Sequence, residues 1–156
     1  MAKMGKSLAT VTLGKYPNVN AYSQALERAG CRLSKSAADI LGKMSVQRSK
    51  VQLELVAVSN AELGRPRGCT FAKTCQLAEA QGLHMCPAEV GPALRLQSNT
   101  ADWLLIAMKP IASSDGGLFI FGLYQGGSAL WLRAYGGGPS GFWGGGNVFV
   151  FARRKV

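Results

Sequence analysis

The hydrophobic period changes near residue 91, and this change constrains the fold more than any other feature of the sequence. From there onward, short apolar segments with alternating side chains are separated by glycine-containing turns; the segments are ALRLQ, DWLLIAMKPI, GLFIFGLY, SALWLRAY and NVFVFARR. A period of two places alternate side chains on one side of a strand, and the intervening SDGG and QGG are typical of hairpin turns. The pattern predicts an antiparallel meander of four to five strands in the C-terminal half.

The first ninety residues show helical spacing, with one exception. Residues 1–15 are small, basic and uncapped, and are predicted to be disordered. Two short helices are predicted within residues 18–42, the second capped by Ser34 or Ser36, and each ends at a glycine. The exception is VQLELVAV at 51–58, which alternates as a half-buried strand does. A third helix is predicted to follow Thr70, which caps it.

These elements predict an α+β fold, in which an N-terminal helix pair, one strand and one helix precede a C-terminal meander that packs on the helices. The 156 residues fit one domain, which we expect to span residues 16–156. No apolar run approaches the roughly 18 residues that cross a bilayer, and the start lacks the apolar block of a secretory signal. We therefore expect a cytoplasmic protein without a membrane partner.

Charge is the unusual bulk property. Eighteen Lys and Arg side chains against eight Asp and Glu give a net charge of +10, and the excess is greatest in the first fifty residues. Such a field attracts nucleic acid and other polyanions, although a basic surface also simply keeps a protein in solution. The helix pair has the size of a helix-turn-helix, and its candidate phosphate contacts are Arg28, Arg32, Lys35 and Lys43. The second helix carries alanines where base-reading side chains belong, which disfavours sequence-specific recognition.

The four cysteines are predicted to be reduced thiols, because no secretory signal accompanies them. Their spacing matches no zinc motif, and no metal or cofactor is predicted. The cysteines are Cys31, Cys69, Cys75 and Cys86.

Residues 84–97, HMCPAEVGPALRLQ, allow two interpretations. The first is a stiff helix-to-strand linker, in which Leu94 and Leu96 begin a strand and Arg95 faces outward, within reach of Glu89. The second is the active site of a metal-independent ribonuclease, with His84 and Glu89 transferring protons and Arg95 stabilising the developing charge. A Cys86 nucleophile is disfavoured because neighbouring Met85 and Pro87 offer no positive charge to lower the pKa of the thiol. A metal site is disfavoured because the spacing of the candidate ligands in this segment matches no zinc motif.

Aromatic residues cluster in the last forty residues. Trp131, Arg133 and Tyr135 alternate along one segment and are predicted to share a sheet face that stacks bases or covers a small ligand, unless that face is simply core. The glycine-rich stretch 136–146 matches no phosphate-binding motif, and we interpret it as a connection that Phe142 and Trp143 attach to the sheet.

The chain resembles a group of uncharacterised bacterial proteins of similar length, often found in metagenomes. The resemblance depends on AGCRLSKSAADIL, on LAEAQGLHMCPAEVGPALRLQ and on LWLRAY with the later FVFARRK. It implies a compact domain but no activity. Three function classes therefore remain open: a non-catalytic binding module for a polyanion or small ligand, which we favour, a ribonuclease-like hydrolase, and a homo-oligomeric structural protein.

Overall fold

The computed structural model describes residues 4–156, which form four helices around one large sheet. The helices are α1 (Val19–Arg28), α2 (Lys35–Leu41), α3 (Phe71–Ala80) and α4 (Val90–Gln97). The strands are β1 (Lys6–Leu13), β2 (Arg32–Leu33), β3 (Val51–Ser59), β4 (Cys69–Thr70), β5 (Leu104–Ile106), β6 (Ile111–Ala112), β7 (Leu118–Gly126), β8 (Ala129–Gly136), β9 (Phe142–Trp143) and β10 (Val148–Ala152).

The main sheet has eight strands of mixed direction. Its order is β1-β3-β10-β5-β7-β8-β2, with β6 paired to β7, while β4 and β9 form a separate pair. Strand β10 runs parallel to β5 and antiparallel to β3, and β2 runs parallel to β8. The predicted arrangement, a helix pair followed by a C-terminal meander, is therefore wrong. Strands from both halves of the chain share one sheet: β1 and β3 lie at one edge and β2 at the other, with the C-terminal strands between them. The long-range pairings of β1, β2, β3 and β10 leave no mark in local periodicity, so the sequence did not reveal this order.

Several local predictions are confirmed. Helices α1, α2 and α3 begin after Asn18, Ser34 and Thr70, and each of these side chains accepts a hydrogen bond from a backbone N–H in the first turn. Strand β3 covers the alternating VQLELVAV. The QGG and SDGG turns connect antiparallel neighbours, β7 with β8 and β6 with β7.

The prediction for residues 91–97 is wrong, because these residues form helix α4 rather than a strand. Pro92 lies in the first helical turn, where backbone N–H groups have no intrahelical partner, so a proline there removes no hydrogen bond. Gly91 allows the helix to lie close to the sheet: a Cβ atom at this position would be 2.6 Å from the Phe121 ring. Every residue from Val90 to Arg95 is buried.

The prediction of a disordered N-terminus is also wrong for the residues that the structure describes. Residues 6–13 form β1, which pairs along its length with β3. Val11 and Leu13 are buried in the core, so this segment contributes apolar surface that the basic composition obscured. Residues 1–3 lie outside the described part of the chain.

The helices define two sides of the sheet. Helix α4 contacts β1, β7 and β8, α1 packs on α4, and α2 contacts β7 and β8; we call this the helix side. On the opposite side, α3 covers part of the sheet, and its Phe71 stacks on Phe149 of β10 with ring centroids 5.9 Å apart. Among residues 4–156, no helix has the length and apolar character needed to cross a membrane.

Candidate nucleic-acid interface

A row of aromatic and arginine side chains crosses the sheet from β2 to β5. The register pairs Arg32 with Trp131 and Trp131 with Tyr124, and directly paired residues project from the same side of a sheet. Trp103 precedes β5 and continues this row, because Leu104 is paired with Leu123. Neighbouring strands are about 4.8 Å apart, so the row extends over roughly 14 Å.

Guanidinium groups lie over the rings of this row. The Arg133 guanidinium carbon is 4.7 Å from the Tyr124 ring centroid and 5.1 Å from that of Trp131. The Arg32 guanidinium carbon is 5.8 Å from the Trp131 centroid. These distances are those of cation–π contacts, which hold the planar groups in a regular alternation. The surface therefore offers both π-faces and positive charge.

A second group of rings extends the surface. Tyr135 lies 5.7 Å from Trp103 and 6.3 Å from Trp143, measured between ring centroids. Its ring covers Gly122, where a Cβ atom would be 2.4 Å from the ring edge, so glycine is required below it. Trp103 is 44% exposed, which is unusual for an indole in a packed cluster. We define the aromatic–arginine face as Arg32, Trp103, Tyr124, Trp131, Arg133, Tyr135 and Trp143.

The face lies on the side of the sheet opposite α4. Alternation along β8 directs Leu132 into the core, where it is completely buried, whereas Trp131 and Arg133 are half-buried on the other side. The prediction that Trp131, Arg133 and Tyr135 share a sheet face is consistent with this arrangement. The glycine-rich stretch contributes Trp143, which packs on Phe149 at 6.0 Å.

The charges near this face are mainly positive. Among residues 4–156 the salt bridges join Lys43 to Asp39 and Arg153 to Glu54, so neither arginine of the face has a carboxylate partner. Two further exposed arginines, at positions 65 and 67, flank Pro66, whose backbone lies against Gly145 next to the Trp143 segment. Asp102, adjacent to Trp103 in the chain, is the nearest acidic residue in sequence.

The four basic residues of the predicted helix-turn-helix do not form one surface. Arg32 belongs to β2 and to the aromatic–arginine face. Arg28 ends α1 on the helix side, and Lys35 is exposed at the start of α2. Lys43 is bound to Asp39, to the Ala112 carbonyl and to Ser114. A β-strand separates the two helices, which differs from a helix-turn-helix.

Glu89 is a structural anchor in the core. It is 1% exposed, and its carboxylate accepts hydrogen bonds from the Gly14 N–H (2.6 Å), the Gln47 N–H (2.7 Å) and the Tyr22 hydroxyl. Burial, together with the hydrogen bond to Glu89, raises the pKa of Tyr22 far above its ordinary value, so the hydroxyl keeps its proton and donates. The carboxylate thus joins β1, α1 and the segment before β3 to the start of α4.

Arg95 is equally inaccessible, at 1% exposure, and does not pair with Glu89. Its guanidinium donates to the carbonyls of Ser98 (3.0 Å), Thr100 (2.9 Å) and Trp131 (3.4 Å), while its Nε has no hydrogen-bond partner among residues 4–156. Burial lowers its pKa. The prediction of an outward-facing Arg95 is wrong, because α4 directs this side chain into the core, where it fixes the end of α4 to the backbone of β8.

His84 lies apart from these two residues. Its backbone bridges to Ala152, and the side chain borders a cavity of about 420 Å³ with Glu79 and Lys155. The three residues of the hypothesised ribonuclease site therefore share neither a hydrogen bond nor an accessible pocket. Within residues 4–156, no three His, Cys, Asp or Glu side chains are grouped as a metal site.

The cysteines are free thiols, as predicted. Cys86 is buried, and its Sγ donates to the Val150 carbonyl at 3.5 Å. Burial raises its pKa well above the ordinary thiol value, which opposes a role as nucleophile.

Sequence reasoning missed Tyr124 and Trp103. The position of Tyr124 was predictable from the sequence, because the QGG turn fixes the β7–β8 register and pairs Tyr124 with Trp131. The position of Trp103 did not follow from the sequence, because residues 107–117 separate β5 from β7 and no tight turn fixes the register that pairs Leu104 with Leu123.

Comparison of the chain with models of protein families, with curated proteins and with solved structures finds no match. The resemblance to bacterial sequences therefore stays a prediction, and function is argued from the geometry of the surface alone.

Proposed function

We propose that the protein is a non-catalytic binding module that holds single-stranded nucleic acid on the aromatic–arginine face. The observation that carries the proposal is the stacking of Arg133 over both Tyr124 and Trp131, at 4.7 and 5.1 Å. Aromatic rings on a sheet accept unstacked bases, and arginine beside them contacts the phosphates. A single strand exposes both bases and phosphates, so a surface on which aromatic rings and arginines alternate suits it better than a surface with only one of them.

The dimensions of the face fit a short stretch of single strand. The row from Arg32 to Trp103 spans about 14 Å across four strands. Comparable sheet surfaces stack two or three bases. In the proposed complex, bases stack on Trp131, Tyr124 and Trp103, and the arginines at positions 32 and 133 turn towards the phosphates.

The surroundings of the face support binding without hydrolysis. Two residues of the hypothesised ribonuclease site, the proton-transfer residue Glu89 and the charge-stabilising Arg95, are 1% exposed, and both form hydrogen bonds with backbone groups of the core. Arg95 instead contacts the Trp131 carbonyl, and so helps to hold the backbone below the binding surface.

Fluorescence anisotropy of a labelled fifteen-nucleotide oligo-dT tests the proposal. Stacking of one base contributes about 1–3 kcal/mol, so Trp131→Ala is expected to weaken binding by about fivefold or more. Arg133→Gln is expected to weaken binding and to reduce the steepness of its salt dependence by about 0.7, the share of one phosphate contact in a single strand. A duplex of the same length is expected to bind more weakly.

Two matched variants provide controls. Arg28→Gln changes charge as Arg133→Gln does, but on the helix side of the sheet. Phe142→Ala removes an aromatic ring that is 66% exposed and does not belong to the aromatic–arginine face. Equal effects of the two arginine variants, with no effect of Trp131→Ala, would reduce the interaction to general electrostatics. A concentration-dependent dimer that Trp131→Ala abolishes would instead assign the face to self-association.

A further inference from the structure

A second site lies on another part of the molecule. A groove of about 400 Å³ lies between helix α3, the segment before α4, the two residues before β6, the start of β7 and the segment after β8. Phe71, Ala72 and Cys75 form its wall on α3, and Met85 and Leu118 face them. We call it the apolar groove. Its volume lies within the range of small-molecule sites, about 300–1,000 Å³.

The walls of the groove are apolar, and the chemistry of Cys75 agrees with this. Burial raises the pKa of the Cys75 thiol to about 12, so the group is neutral under ordinary conditions. Leu118 at the rim is 42% exposed, so the groove leaves a large aliphatic side chain in water. Such a surface gains from contact with an aliphatic ligand.

One charged residue borders the groove, and it is positive. Lys109 is exposed at the rim, and within residues 4–156 it forms no salt bridge. The first backbone N–H groups of α3 are already bound, since Phe71 and Ala72 donate to the Gly141 and Pro139 carbonyls. The amino group of Lys109 is therefore the cationic group available to a ligand here.

We propose that the apolar groove binds an aliphatic carboxylate, with its chain along α3 and its carboxylate at Lys109. The groove complements such a ligand in two ways: its apolar walls contact the aliphatic chain, and the unpaired Lys109 at its rim faces the carboxylate. None of the groove residues belongs to the aromatic–arginine face, so this proposal does not rest on the proposed function.

Isothermal titration with sodium decanoate tests this site. Each buried methylene contributes about fourfold in affinity, so octanoate, which is two methylenes shorter, is expected to bind about fifteenfold more weakly than decanoate. A surface ion pair contributes little, so Lys109→Gln is expected to weaken decanoate by about two- to fivefold and to leave decanol unchanged. Lys73→Gln, which removes the same charge from α3 outside the groove, is expected to have no effect.

The location of the ligand is read from thiol protection. Decanoate is expected to slow the alkylation of Cys75, measured by mass spectrometry, and to leave Cys31 unaffected. Ala72→Phe fills the groove, and is expected to abolish binding while circular dichroism and urea unfolding verify its fold. Equal affinity for decanol and decanoate would overturn the role of Lys109, and binding without Cys75 protection would overturn the site. Oligo-dT binding is expected to be unchanged by Ala72→Phe, which separates failure here from failure of the proposed function.

Discussion

The buried carboxylate of Glu89 is expected to be among the most sensitive positions of the fold. It accepts three hydrogen bonds, from Gly14, Gln47 and Tyr22, and within residues 4–156 it forms no salt bridge. A hydrogen bond to a charged group contributes about 1.5–3 kcal/mol, and a carboxylate freed from burial recovers several kcal/mol of desolvation. For Glu89→Ala we therefore expect a net loss of about 3–5 kcal/mol in the free energy of unfolding.

Glu89→Gln is the sharper variant, because it preserves the shape of the side chain. The amide keeps one acceptor oxygen, but its NH₂ group replaces the other oxygen and faces a donor. Two donors then meet in a buried site without an acceptor between them. We expect a loss of about 2–4 kcal/mol. Tyr22→Phe removes a single donor and is expected to cost about 1.5–3 kcal/mol, with the double variant less destabilised than the sum of the two.

Urea unfolding at neutral pH, followed by circular dichroism, measures these differences. An unchanged slope with a lower midpoint identifies a loss of stability rather than a change in compactness. If Glu89→Gln unfolded within about 0.5 kcal/mol of the wild type, the typical range for neutral surface changes, the anchoring role would be refuted.

Three further predictions concern the sheet edge, pH and thiol reactivity. The Gln97 amide donates a hydrogen bond to the Thr12 carbonyl and accepts one from the Thr12 N–H on the edge strand β1. Gln97→Ala is expected to expose this edge and to promote self-association, measured by light scattering, and an unchanged molecular mass would contradict this. Hydrogen bonds from Ser114 in the β6–β7 turn lower the pKa of Asp39. The stability that Asp39 contributes is therefore present above about pH 4 and is lost as the pH falls through its folded-state pKa. In unfolding experiments Asp39→Asn should be less stable than wild type above about pH 4 and equal to it at low pH, and a difference that does not change with pH would refute this linkage. Cys31 is only partly buried, whereas Cys86 is enclosed and its pKa is raised far more, so iodoacetamide should modify Cys31 first; the reverse order would contradict the packing.

Local structure was predictable from the sequence wherever a few neighbouring residues determine it. Capping side chains marked the starts of α2 and α3, helical spacing of apolar residues marked α1, and alternation marked β3. Glycine turns marked the β7–β8 hairpin. Each of these signals depends on residues that are close together in the sequence, so it predicts the local structure independently of the tertiary arrangement.

Helix α4 and the strand order were not predictable in this way. In α4, glycine and proline near the start obscured the helix, and the alternation of Leu94 with Leu96 resembled a strand. The position of β10 between β3 and β5 depends on contacts between residues about ninety and forty-five positions apart, which local periodicity does not record.

The residues of the candidate site also differ in whether the sequence predicts their positions. Trp131, Arg133 and Tyr135 were predictable as one face, because they alternate along a single strand. Arg32 joins them through a pairing with Trp131 that is distant in sequence, and Trp103 joins them through the pairing of β5 with β7, whose register no tight turn fixes. The ribonuclease hypothesis relied on proximity along the chain, whereas the fold buries Glu89 and Arg95 and leaves His84 elsewhere.

Ultraviolet crosslinking of oligo-dT, with crosslinked peptides mapped by mass spectrometry, tests the central claim most directly. Binding on the aromatic–arginine face predicts crosslinks at Trp131, Tyr124 and Trp103, and their suppression by unlabelled single strand more than by duplex. Crosslinks confined to the helix side, around Arg28 and Lys43, or an absence of crosslinks at concentrations where binding is saturated, would contradict the account.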